Sequence, residues 1–93
     1  MRNLSVHRVS ATVRNPKGLH MRPLSVIAKK AQSFGGEVFV CRGSNRANAK
    51  SLLHLMTLGA EAGMKLEVEA LGHDGHSVVN QLAEVIETEF EFA

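Results

Sequence analysis

The segment KLEVEA, residues 65–70, sets Leu66, Val68 and Ala70 against Lys65, Glu67 and Glu69. Successive strand side chains point to opposite faces, so this segment rests one face on a core and keeps the other in water. RVSATVR at 8–14 repeats the pattern, with Val9, Ala11 and Val13 opposed to Arg8, Ser10, Thr12 and Arg14. EVFVCR at 37–42 sets Val38 and Val40 against Phe39 and Cys41. Strands patterned this way suit an antiparallel sheet covered on one face, not a parallel sheet buried on both.

Helical spacing fills the intervals. From Met21, the apolar positions Leu24, Ile27, Ala28, Ala31 and Phe34 mark a first helix, stopped by Gly35 and Gly36. A very short third strand is predicted around Arg46–Asn48, after the GSN turn. Ser51 opens a second helix with Leu52, Leu55, Met56 and Gly59 on its stripe. After GHDG, the positions Val78, Val79, Leu82, Val85, Ile86 and Phe90 mark a third. The order βαββαβα predicts an α+β domain, a four-stranded antiparallel sheet with three helices on one face. All 93 residues form one domain in this reading. Leu4 and Val6 fall on the wrong parity for the first strand, so residues 1–7 are expected to be a bulged extension or an irregular arm.

Composition excludes several functions. With no Trp or Tyr, the chain has little with which to stack single-stranded nucleic acid. Lys and Arg gather between Arg2 and Lys50 and acids dominate the end, for a net charge of +2. That balance suits phosphate or acidic proteins better than DNA. A single cysteine, Cys41, leaves no internal disulfide and agrees with a reducing compartment. There is no apolar N-terminal run and no stretch approaching the roughly 18 apolar residues that span a bilayer. A cytoplasmic location, without membrane contact, is the expectation.

GLHMRP at 18–23 carries the chemistry. His20 falls at or beside the N-cap of the first helix, where unpaired amides and the helix dipole favour an anion. Pro23 costs no hydrogen bond in the first turn. The amides of Met21 and Arg22 can face a phosphate carried on His20, and the Arg22 guanidinium can bind the same oxygens. Gly18 would let the loop approach a ligand closely. The hexapeptide alone fits equally well a loop histidine near a cap, with Arg22 a solvated charge.

A second motif shifts that balance. NPKGLHMRP, followed about thirty residues later by KSLLHLMTLG, resembles the HPr family, the histidine-containing phosphocarriers of the sugar phosphotransferase system. The resemblance runs from about Val9 to Ile86 and implies an open-faced β-sandwich. It implies that His20 is phosphorylated by enzyme I and discharged to a IIA-type domain, so the chain is a carrier and not a stand-alone enzyme. It gives Arg22 the phosphate-stabilising role, Pro23 the helix start, and Ser51 the role of the serine modified in some members by an HPr kinase/phosphorylase. A monomer without a cofactor is expected. Met21 stands where the family has a smaller residue, and His54 where glycine is common. The alternative within the family is a regulatory protein acting through Ser51 phosphorylation without sugar transport.

The remaining residues are read more plainly. Leu55 and Leu58 are expected to face the sheet, with Leu52, Leu53 and Met56 forming an exposed docking patch beside His20. Ser51 is an N-cap on its own merits. His73 and His76 lack a third convergent ligand, so no metal site is expected, and Asp74 is the expected cap of the last helix. His7 is read as a surface residue of the arm, Cys41 as a small buried hydrophobe, and EVIETEFEF as a solvated helix face with a fraying tail.

Overall fold

The computed structural model describes residues 5–89. Seven elements follow in order: β1 (Val6–Thr12), α1 (Met21–Gln32), β2 (Glu37–Arg42), β3 (Asn45–Asn48), α2 (Leu52–Met56), β4 (Lys65–Leu71) and α3 (Gly75–Ile86). The strands form one antiparallel sheet in the order β1-β4-β2-β3. Register follows the alternation: Val9 lies opposite Val68, Ala11 opposite Leu66, and Val38 opposite Ala70. A slip of one residue would turn that whole set into water. The three helices cover the apolar face, α3 over β1 and β4, α1 against α3, and α2 against α1 and β3. The expected open-faced α+β sandwich is the fold observed.

The core is the inward strand face closed by Leu24, Ile27, Ala28 and Ala31 of α1 and by Val79, Leu82 and Ile86 of α3. Leu55 and Leu58 seal it at α2, each 1 % exposed. Several boundaries differ from the sequence reading. β1 begins at Val6, paired to Leu71 in unbroken register, so residues 6 and 7 belong to the sheet and not to an arm. Val13 leaves the strand because its backbone turns to the β4 approach: its N–H donates to the Met64 carbonyl and its carbonyl accepts the Gly63 N–H. α2 stops at Met56, short of Gly59, whose φ is +59°. Phe90 and the last residues of the acidic end, like residues 1–4, lie outside the described residues.

The outer sheet face is held by charge. Glu69 is 8 % exposed, under Arg8 and Arg46. Arg8 donates from Nε at 3.1 Å and from Nη2, and Arg46 donates from Nη2 at 2.8 Å. Hydrogen bonding from Arg8, reinforced by Arg46, holds the Glu69 carboxyl below the usual range against the opposing effect of burial. The Arg46 guanidinium also lies 3.7 Å over the Phe39 ring. Cys41 is on this face, half-buried beside Arg8, Gly43, Glu67 and Glu69, and not inside the core. Burial, and then the Glu69 charge, push its thiol up. β2 alternates Val38 and Val40 inward, which turns Cys41 to the outer side.

α1 and α2 lie head to tail. Gln32, the last residue of α1, donates to the Lys50 carbonyl at 3.0 Å, and Lys50 Nζ donates to the Phe34 carbonyl at 2.6 Å. At the other end, the Leu19 N–H donates to the Ala60 carbonyl at 2.9 Å. Ser51 is thereby anchored near the C-terminal end of α1, and His20 stands at its N-terminal end. Twelve residues make α1 about 18 Å long.

Candidate functional site

Three bonds help to tie down the loop before α1. Asn15, 1 % exposed, donates from Nδ2 to the Gly18 carbonyl at 2.9 Å, and its own carbonyl accepts the Gly18 N–H at 2.8 Å. The third is the Leu19 bond to Ala60, and the Leu19 side chain is buried. Gly18 has φ +75°, and a Cβ there would fall 2.7 Å from the Ala60 oxygen. Both facts demand glycine, so its role is to let the loop press on the 60–61 backbone rather than on a ligand.

His20 then takes the N-cap position, with φ −90° and ψ −168°. Its carbonyl accepts the Leu24 N–H at 3.1 Å, the first intrahelical bond. The amides of Met21 and Arg22 precede that bond, and Pro23 brings no N–H. The His20 side chain makes no cap bond. Its Nε2 is buried without a hydrogen-bond partner, the one such side-chain atom among the described residues. Arg22 is exposed in the same turn, which holds no acidic residue. The geometry is a helix start that its cap side chain leaves uncapped, with a cationic side chain two residues on.

At α2, Ser51 is the N-cap as expected: its Oγ accepts the His54 N–H at 3.1 Å. The His54 ring has a structural task, its Nδ1 accepting the Asn48 N–H at 3.0 Å and so tying α2 to β3. Leu53 and Met56 are 78 % and 48 % exposed. Leu52 departs from the expected patch and is partly buried against the core. Met21, 51 % exposed at the start of α1, is an exposed apolar side chain that the patch reading left out.

The start of α3 corrects two expectations. Asp74 takes the cap position, but at φ +66° its side chain makes no cap bond. His7 is half-buried on β1, its ring 5.7 Å from that of His76, in space left by Gly75, where a Cβ would meet His7 Cδ2 at 2.8 Å. His73 lies 3.8 Å from the Asp74 carboxylate. Among the described residues no three His, Cys, Asp or Glu converge as a metal site, and no helix is long and apolar enough to cross a membrane.

Sequence reasoning missed Arg42 and Asn45. Arg42 donates to the Leu58 and Gly59 carbonyls, and Asn45 to the Thr57 carbonyl. Both flank the GS turn between β2 and β3. Their only sequence signal is a polar hairpin, which does not name the carbonyls they reach.

Three comparisons bear on this arrangement. Residues 8–88 match the family model described as PTS HPr component phosphorylation site. The chain is 36% identical over 78 residues to the phosphocarrier protein HPr of Borreliella burgdorferi, covering 84% of this chain and 91% of that one. It is 39% identical over 71 residues to the phosphocarrier protein HPr of Haemophilus influenzae, covering 76% and 84%. Among solved structures, HPr-C-His from Thermoanaerobacter tengcongensis superposes with a TM-score of 0.81 at 30% identity, covering 87% of this chain and 91% of that one. The sheet order, the uncapped helix start and these matches agree: the chain belongs to the HPr family of the phosphotransferase system.

Proposed function

We propose that this chain is a phosphocarrier of a phosphotransferase system that accepts a phosphoryl group on His20 from enzyme I and passes it to IIA-type proteins. The observation that carries the reading is the uncapped start of α1, with His20 at the cap position and Arg22 in the first turn. With Nε2 buried, Nδ1 is the nitrogen left to react. Its lone pair attacks the phosphorus of the phosphoryl group carried by enzyme I, and the bond from phosphorus to the donor breaks as the new P–N bond forms. The Met21 and Arg22 amides and the Arg22 guanidinium hold the phosphoryl oxygens. Discharge runs the same step toward the acceptor. Leu53, Met56 and Met21 offer the partners an apolar surface. We place the carrier in the cytoplasm as a single-domain monomer.

Ser51 adds a regulatory reading, with an HPr kinase/phosphorylase as partner. Its hydroxyl sits at a helix start, where a phosphate suits the dipole and need not unfold α2. The length of α1 lies between Ser51 and His20, against a screening length of roughly 8 Å at physiological salt. A phosphate on Ser51 would therefore weaken partner docking at Leu53 and Met56 rather than repel phosphate at His20.

The test is incubation with enzyme I and phosphoenolpyruvate, followed by intact mass measurement. One acid-labile, base-stable phosphate is expected, absent from a folded His20→Ala variant. An acid-labile phosphate on that variant would sink the assignment.

A further inference from the structure

Between α2 and β4 the chain presents four successive carbonyls, from Thr57 to Ala60. Three are gripped from the β2–β3 hairpin: Asn45 Nδ2 donates to Thr57 at 3.3 Å, and Arg42 Nη1 donates to Leu58 at 2.8 Å and to Gly59 at 3.2 Å. The fourth, Ala60, accepts the Leu19 N–H at 2.9 Å, one residue before His20. One side of this connection is held by the hairpin, and the other holds the loop of the phosphate acceptor.

We infer that Arg42 is a positioning residue for His20, acting through the 57–60 connection. The inference rests on the reading of His20 as the acceptor. Gly59, at φ +59°, gives the connection its softest joint, and the guanidinium spans it by binding the Leu58 and Gly59 carbonyls, one on each side of the Gly59 Cα. A charged donor makes stronger bonds than a neutral one. Without it, the connection can turn at Gly59 and carry the Ala60 carbonyl with it. The Leu19 N–H then loses its fixed acceptor, and the His20 ring its fixed place before Met21 and Arg22. A displacement of about 1 Å is enough to cost up to a hundredfold in a reaction that depends on alignment. Arg42 is exposed, while Leu58 and Ala60 anchor the connection in the core, so the brace can be removed without opening the core.

The experiment compares wild type, Arg42→Ala, Arg42→Lys and, as a control on the outer sheet face, Arg46→Ala. Amide exchange at Leu19 and the His20 imidazole signals are recorded by NMR in the absence of any donor. Then kcat and KM are measured for phosphate uptake from enzyme I and phosphoenolpyruvate. In Arg42→Ala, Leu19 should exchange about tenfold faster, roughly the loss of one charge-assisted hydrogen bond. The His20 signals should shift, and kcat should fall roughly tenfold with KM unchanged. Arg42→Lys should recover part of each, since it keeps the charge on a shorter side chain. Arg46→Ala should match wild type in all of them. Unchanged Leu19 exchange and His20 signals in Arg42→Ala would overturn the inference. So would a uniform rise in exchange across the core, or a higher KM at constant kcat, which would make Arg42 a docking residue. If Arg42→Ala does not fold, Arg42→Lys and Asn45→Ala take the same readouts. A wild type that takes no phosphate refutes the phosphocarrier reading, while the NMR comparison still decides whether Arg42 sets the His20 loop.

Discussion

At the start of α2 the Ser51 hydroxyl accepts the His54 N–H, whereas at the start of α1 the His20 side chain caps nothing, although its backbone holds the same extended conformation. One helix start is closed by its own residue. The other is left uncapped by the side chain of its own cap residue. A cap residue contributes about 1 kcal/mol, so α1 forgoes that stabilisation at the place where we propose that the phosphate sits. α1 can do without it because Leu24, Ile27, Ala28 and Ala31 are buried along its length, while the five-residue α2 buries Leu55 alone. The short helix needs its cap and the long one does not.

The contrast can be broken by exchanging the two behaviours. On the proposed mechanism, Arg22→Ala removes a charge-assisted bond to the phosphoryl group, and transfer should slow roughly ten- to hundredfold. Its melting temperature should stay within about 2 °C of wild type, since Arg22 is exposed. A transfer rate equal to wild type would make Arg22 a bystander. Ser51→Ala should do the reverse, lowering the melting temperature by about 5 °C and leaving phosphate uptake at His20 intact. Thermal scans and uptake assays on the same two proteins would show whether the effects cross. His20→Asp gives α1 the cap it lacks and removes a buried unpaired nitrogen. It should melt a few degrees higher, about 1 kcal/mol of stabilisation, while taking up no phosphate. A lower melting temperature would mean that the α1 start cannot accept a cap.

The smallest effect lies away from both starts. Neither α1 nor α2 has an acidic residue in its first turn, so acid should reach the fold elsewhere, at Glu69. Its carboxyl is held below the ordinary range by Arg8 and then by Arg46. The folded state therefore binds fewer protons there than the unfolded chain does. That stabilisation is fully present above the ordinary glutamate value of about 4.3, and it is lost as pH falls through the lower folded value. Glu69→Gln should flatten this part of the melting-temperature profile, below about pH 5. Equal acid sensitivity in both proteins would place the effect on another carboxylate.

Much of this was legible in the residues. Periodicity placed the three helices and the inward faces of β1 and β4, because burial on one side leaves a pattern that register must obey, while β3 was placed by the turn before it. The Ser51 cap was legible because capping is local, read within three residues. Leu52 was misread because a five-residue helix has no full stripe by which to judge its faces. His7 and Cys41 were misread because their surroundings come from distant segments, Gly75 and His76 for one, Glu67 and Glu69 for the other. Arg42 escaped for the same reason. Asp74 follows the rule for where caps occur, but its left-handed backbone turns the carboxylate away from the amides.

The close approach of Gly18 to Ala60 also constrains how sequences of this kind can drift. A side chain at position 18 would meet two independent penalties, the left-handed backbone and the carbonyl 2.7 Å away, and that carbonyl belongs to main chain that no compensating substitution can trim. Gly43 and Gly63, also at positive φ, face open space and leave room for Asn or Asp. In a population of variants selected only for staying folded, positions 43 and 63 would diversify while 18 stayed invariant. An invariant glycine two residues before a reactive histidine is easily taken for part of the chemistry, yet here packing alone is enough to fix it.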